Sequence, residues 1–126
     1  MTIARLPLLI AMIGAITAPA AAQQQIKTPP NAFSDRLASL SELQRHAALR
    51  RAILDSGQYC KRVEWSAKQQ QYKNLVMWVA RCNPGGDKAV YIGPDGTVQV
   101  RDCKEAATLK LPACRVPPAK PATARK

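Results

Sequence analysis

The fold of this protein is decided by residues 73–102, which read KNLVMWVARC NPGGDKAVYI GPDGTVQVRD. Two turn sequences, Asn-Pro-Gly-Gly at 83–86 and Pro-Asp-Gly at 94–96, divide this stretch into three runs that are rich in apolar residues. Gly96 can adopt the positive φ that a short hairpin loop requires, so the second turn predicts a tight hairpin. Together with a similar run before residue 73, the pattern predicts an antiparallel meander of four strands, at 59–67, 73–82, 88–93 and 97–102.

The spacing of the apolar residues predicts how these strands pair, because a shift of one residue moves every side chain of a strand to the other face. Pairing Gly93 with Thr97 closes the last hairpin, and pairing Cys82 with Asp87 closes the hairpin before it. The first hairpin then places Cys60 opposite Cys82. In this register one face of the sheet is entirely apolar, and it contains Val63, Trp65, Leu75, Met77, Val79, Val90, Ile92, Val98 and Val100.

A single helix is predicted before the sheet, because apolar residues recur there at helical spacing. It begins near Ser34 or near Ser41, which has Gln44 three residues on and therefore the spacing of a capping box. It ends at Gly57, which can adopt the left-handed conformation common at helix C-termini. The predicted fold is α+β, with this N-terminal helix packed on the four-stranded meander in two layers. The apolar stripe that would cover the sheet comprises Leu37, Leu40, Leu43, Ala47, Leu49, Ile53 and Leu54.

The two ends of the chain are predicted to lie outside the folded domain. Residues 1–22 have an early cation, then an apolar run and three consecutive alanines, which is the layout of a cleaved secretory signal peptide. The apolar run is too short to span a membrane, so we expect no span after cleavage. We expect a linker at 23–33, one domain at 34–114 and a disordered basic tail rich in Pro and Ala at 115–126. The predicted location is the periplasm, or outside the cell.

The four cysteines are predicted to form two disulfides, because export leads to an oxidising compartment. Of the three possible connectivities, the predicted register favours Cys60–Cys82, on the sheet face away from the helix, and leaves Cys103 to pair with Cys114. Redox or metal roles are the alternative. However, the chain has no Cys-x-x-Cys motif, the gaps between cysteines are 21, 20 and 10 residues, and His46 is the single histidine. We therefore expect neither a metal nor a cofactor.

The chain is strongly basic, with a formal net charge of +11. Removing the signal peptide removes Arg5, which leaves eighteen Lys and Arg against eight Asp and Glu, a charge of +10. Such a charge favours contact between the C-terminal tail and an anionic surface, although it could also serve solubility alone. The chain carries no nucleic-acid-binding motif, so we expect no nucleic acid partner.

The outer face of the predicted sheet is the candidate binding surface. The predicted register makes Trp78 and Tyr91 cross-strand neighbours there, with Arg62, Gln99 and Arg101 around them. Tyrosine, tryptophan and arginine are enriched at interaction hot spots, so this face is predicted to contact a protein of the cell envelope. The alternative is that the two aromatic residues pack beside the disulfide or under the tail. No catalytic residue is predicted, because the pattern fixes neither an activated nucleophile nor a pair of carboxylates.

These features predict a small exported, disulfide-stabilised binding or accessory module of the bacterial cell envelope, without catalytic activity. An inhibitor or immunity-type protein is one alternative, since small disulfide-bonded domains suit that role. A thiol oxidoreductase or a hydrolase is a further alternative, which would need a labile cysteine pair or a nucleophile that the sequence does not reveal.

Overall fold

Two helices, four strands and one 3₁₀ turn form the described part of the chain. The structure is a computed structural model, and it describes residue 14 and residues 30–118. The strands form one antiparallel sheet in the order β1-β2-β3-β4, so the predicted α+β class and four-stranded meander are confirmed. The predicted signal peptide, most of the linker and residues 119–126 lie outside the described residues. The elements are α1 (Ala32–Ser39), α2 (Glu42–Asp55), β1 (Val63–Tyr72), β2 (Leu75–Cys82), β3 (Gly86–Ile92), β4 (Val98–Asp102) and the 3₁₀ turn (Cys103–Glu105).

The single predicted helix is two helices, which meet at an extended residue, Leu40. The predicted capping box is present: the Ser41 hydroxyl accepts from the Gln44 N–H at 3.3 Å, and the Gln44 side chain accepts from the Ser41 N–H at 3.3 Å. This box starts α2 rather than one long helix, and Asn31 caps α1 by accepting from the Ser34 N–H at 3.0 Å. Residues 31–33 therefore belong to the fold and not to a linker. Within residues 30–118, neither helix has the length and apolar composition needed to cross a membrane.

The helices cover one face of the sheet with a narrower stripe than predicted. Leu37 of α1 and both Leu49 and Ile53 of α2 are buried against the sheet. Leu43, which the sequence placed on the same stripe, is 81% exposed. The break at Leu40 changes the direction of the chain and turns Leu43 to solvent. The sheet residues of this helix-side core are Val63, Val76, Trp78, Ala80, Cys82, Val90, Ile92 and Val100.

The register of the sheet is predicted correctly for one hairpin and wrongly for the other two. Ile92 lies opposite Val98 as predicted. Between β2 and β3 the pairing is shifted by one residue, so that Cys82 lies opposite Gly86. Cys82 also lies opposite Val63 instead of Cys60, and β1 has two irregularities that the sequence did not predict. The physical reason is that residues 75–80 are all apolar, so alternation cannot tell which of them face the helices.

The sheet face opposite the helices is also covered, which makes the molecule three layers deep instead of two. The cover is the segment 103–117, here named the strap. The N–H of Arg115 donates to Gln69 Oε1 at 2.7 Å, and Arg81 Nη2 donates to the carbonyl oxygen of Pro117 at 2.6 Å. The first residues of the predicted disordered tail are therefore held on the sheet. Under the strap lie Met77, Val79, Ala89 and Tyr91, surrounded by Trp65, Tyr72, Leu75, Cys103, Leu111, Cys114 and Val116.

Both predicted disulfides are confirmed. The Cα atoms of Cys60 and Cys82 are 5.2 Å apart, and those of Cys103 and Cys114 are 5.7 Å apart. The first bond lies in the helix-side core and not on the outer face as predicted, because the shift in register turns Cys82 inward. The second bond closes a loop of the strap against the other face. Loops of this length correspond to about 2–4 kcal/mol of stabilisation for each bond.

Candidate functional site

The structure places Trp78 in the helix-side core, which overturns its predicted position on an open face. Its side chain is 2% exposed. The indole N–H donates to the Ser34 hydroxyl at 2.9 Å, and the Arg45 guanidinium lies 5.9 Å from the ring centroid. Arg45 Nη2 also donates to the carbonyl of Leu40 at 2.9 Å, so it joins the end of α1 to the tryptophan. Trp78 therefore fixes the helices to the sheet.

Arg62 is exposed as predicted, but it lies away from the other predicted site residues. It donates to Glu64 at 3.2 Å. Asn83 donates to the same carboxylate at 2.8 Å. Hydrogen bonds from Asn83 and then from Arg62 lower the pKa of Glu64. A shallow cavity of about 350 Å³ beside these residues is lined by Lys61, Arg62, Asn83 and Pro84.

The remaining three predicted residues, Tyr91, Gln99 and Arg101, are brought together by the structure. They line a cavity of about 240 Å³, here named the cleft, which opens between the sheet and the strap. Tyr91 and Gln99 are paired residues of neighbouring strands. Arg101 lies two residues beyond Gln99 on β4, and alternate residues of a strand project from the same face. The remaining lining residues are Tyr72, Leu75, Leu109 and Leu111.

Tyr91 lines the cleft, but its prediction as part of an open face is wrong, because the strap covers this face and buries the residue, in line with the alternative interpretation. It is 3% exposed, and its hydroxyl has no hydrogen-bond partner among the described residues. Its ring centroid lies 5.7 Å from that of Tyr72, with the ring planes 57° apart. Burial raises the pKa of Tyr91, Tyr72 adds to this rise, and the positive charge of Arg101 opposes it. The hydroxyl therefore stays protonated at neutral pH.

Arg101 is the charged residue among the described residues that line the cleft. Arg101 is exposed and forms no ion pair with another described residue. Lys73 Nζ lies 5.4 Å from the centroid of the Tyr72 ring. No aspartate or glutamate is among the described residues that line the cleft. The cleft thus combines apolar walls with a cation that has no ionic partner in the part of the chain that the structure describes.

The strap wall of the cleft depends on a local fold that the sequence analysis missed. Leu109 and Leu111 lie inside the loop that the Cys103–Cys114 disulfide closes. Their backbone N–H groups donate to the carbonyls of Glu105 at 3.0 Å and Ala106 at 2.8 Å, which gives the loop a compact turn. The sequence contains one signal for this wall. Two leucines flank a lysine within a loop that was predicted to be closed by a disulfide.

A third cavity, of about 470 Å³, lies beside β1 near the start of the described region. Its walls are mostly polar and include Pro30, Asn31, Asp35, Lys68, Gln69, Gln70, Gln71 and Val76. The cleft differs from this cavity in having two aromatic rings, three leucines and an exposed arginine. We therefore regard the cleft as the candidate site.

Within residues 30–118, no three His, Cys, Asp or Glu side chains are grouped closely enough to hold a metal ion. No protein-family model, curated protein or solved structure matches the chain. The site is therefore interpreted from its own residues.

Proposed function

We propose that this protein is a small exported, non-enzymatic binding or accessory module of a bacterial cell envelope, and that it binds a protein partner through the cleft. The observation that carries the proposal is the convergence of Tyr91, Gln99 and Arg101 with an apolar wall in one cavity. Tyrosine and arginine are the residue types that contribute most at interaction hot spots.

Two physical features support a binding role for the cleft. The Arg101 guanidinium is exposed beside the apolar wall and forms no ion pair with another described residue, so an anionic group can bind it without displacing an internal partner. The walls are also preorganised, because one is a sheet and the other is closed by the Cys103–Cys114 disulfide. A preorganised site loses less conformational entropy when it binds.

Export is part of the same proposal. Two disulfides are typical of proteins in oxidising compartments, and they are compatible with the signal peptide that the sequence predicts. The basic residues of segment 119–126 are proposed to contact an anionic surface. Vesicles rich in anionic lipid should bind the mature chain more strongly than a form that lacks residues 119–126. Equal binding by the two forms would remove the tail from the proposal.

The cleft is tested by comparing paired variants at exposed positions. The mature, disulfide-bonded chain would be coupled to a resin and exposed to envelope extract, with bound proteins identified by mass spectrometry. Arg101→Ala and Leu109→Asp should each lose a protein that the wild type retains. The matched controls, Arg36→Ala and Leu43→Asp, change exposed residues of the helices and should retain it. Recovery of the same proteins by all five forms would reject the cleft as the binding site.

A further inference from the structure

We propose that the cleft binds the C-terminal residue of a partner polypeptide whose last side chain is large and apolar. Arg101 and Gln99 receive the terminal carboxylate, and the leucines of the strap enclose the side chain. This inference rests on the proposed function, since it names the part of the partner that enters the cleft.

The charge of the cleft calls for an anionic group. Arg101 is exposed and forms no ion pair with another described residue. A guanidinium presents donors in a planar fork that matches the two oxygens of a carboxylate. Gln99, two residues away on β4, adds amide donors to the same side of the sheet.

Because the cleft is small, its ligand must carry the anionic group and the apolar group close together. Its volume, about 240 Å³, is below the range of roughly 300–1,000 Å³ typical of sites for drug-sized ligands. A single amino acid side chain suits such a volume better than an extended ligand. A polypeptide carries a carboxylate and a large apolar side chain on one Cα atom at its last residue. Aspartate and glutamate side chains carry the charge without the apolar group.

The surroundings of β4 favour insertion of a chain end over addition of a new strand. β4 is the last strand of the sheet, so its outer edge is the position where an extended peptide would pair. However, the Gln58 side chain donates to the carbonyl oxygen of Val100, in the middle of β4, at 3.1 Å. A peptide strand along this edge would have to compete with that contact. A chain end that enters between Arg101 and Leu109 would not.

The test is a calorimetric titration of the mature, disulfide-bonded chain with a hexapeptide that ends in leucine. The same peptide with an amidated C-terminus is the matched ligand. Arg101→Gln is the matched protein variant, and Arg36→Gln is the control for a change in net charge. Since hydrogen bonds to charged groups are worth about 1.5–3 kcal/mol, the free carboxylate should bind the wild type at least about tenfold more tightly than the amide.

The preference for the free carboxylate should be lost in Arg101→Gln and kept in Arg36→Gln. Two results would overturn the inference: equal binding or no binding of the two peptides to the wild type, and a preference that persists in Arg101→Gln. Either result could be obtained while the Arg101→Ala and Leu109→Asp variants lose an envelope partner. That combination would reject the C-terminal ligand and leave the proposed function standing. Retention of every partner by those variants would reject the proposed function itself.

Discussion

The two faces of the sheet are covered in different ways. The helices cover one face by close packing, and Leu49 and Ile53 are 1% and 0% exposed there. The strap covers the other face with one 3₁₀ turn and irregular backbone, held by a disulfide and by polar contacts from Gln69 and Arg81. A cleft remains on the strap side. The comparison indicates that the helix side is the more tightly packed of the two faces, whereas the strap side leaves the cleft that we propose as the binding surface.

The two disulfides differ in burial, and the more buried one lies on the helix side. Cys60 and Cys82 are 0% and 4% exposed, within the helix-side core. Cys103 and Cys114 are half-buried, at the ends of the loop that forms one wall of the cleft. The first bond therefore lies within the core that the helices cover, while the second closes a half-buried loop at the surface of the sheet. The substitutions that test this contrast each alter one of the two faces.

The largest expected effect is that of Trp78→Ala, which should lower the free energy of unfolding by about 3–5 kcal/mol. The substitution removes a large buried ring and leaves the Ser34 hydroxyl without its indole donor. Urea unfolding with the disulfides intact measures the change. Tyr59→Ala, at a residue that is 60% exposed, is the control and should cost far less. A loss below 1 kcal/mol for Trp78→Ala would place the tryptophan on an open face, as the sequence alone predicted.

This tryptophan also shows why the sequence predicted the fold better than the site. The turn at 94–96 fixes the last hairpin, because the Gly93 N–H donates to the Thr97 carbonyl at 2.8 Å. Residues 75–80 offer no such marker, since they are apolar at every position and the strap covers their second face. The predicted and the observed registers therefore both place apolar side chains of β2 against the helices. The predicted register, which is wrong here, placed Trp78 on the outer face. Tyr91, Gln99 and Arg101 were grouped correctly because they lie on the two strands whose pairing the turn fixes.

The next effect in size is that of replacing Cys103 and Cys114 together by serine. The free energy of unfolding should fall by about 2–4 kcal/mol, because the loop loses its covalent closure. Hydrogen exchange measures where the structure loosens. The amide of Leu111 should exchange much faster, while the amide of Leu49 should keep most of its protection. In the wild-type protein, a mild reductant should open this half-buried bond before the buried Cys60–Cys82 bond, as alkylation and mass spectrometry would detect.

Equal loss of protection at Leu49 and Leu111 would contradict this division, because it would mean that the two faces unfold as one unit. Retained protection at both residues would show that packing alone holds the strap. The first result would mean that the strap, and the cleft with it, does not open independently of the core. The second would mean that the cleft keeps its geometry without the Cys103–Cys114 disulfide.

The smallest expected effect on stability is that of Tyr91→Phe. The hydroxyl is buried and has no partner among the described residues, so its removal should raise the free energy of unfolding at neutral pH by about 1–3 kcal/mol. The pH dependence is more diagnostic. Burial raises the pKa of Tyr91, so the folded protein holds this proton more tightly than the unfolded chain. Its contribution is fully present below about pH 10 and is lost as the pH rises through the folded pKa.

The wild type should therefore lose stability above about pH 10 more steeply than Tyr91→Phe does. Tyr59→Phe, which removes an exposed hydroxyl, is the matched control and should follow the wild type. Urea unfolding at a series of alkaline pH values measures the three slopes. Parallel curves for all three proteins would mean that the Tyr91 hydroxyl is solvated in solution. In that case the strap does not close over the sheet, and the contrast between the two faces is lost.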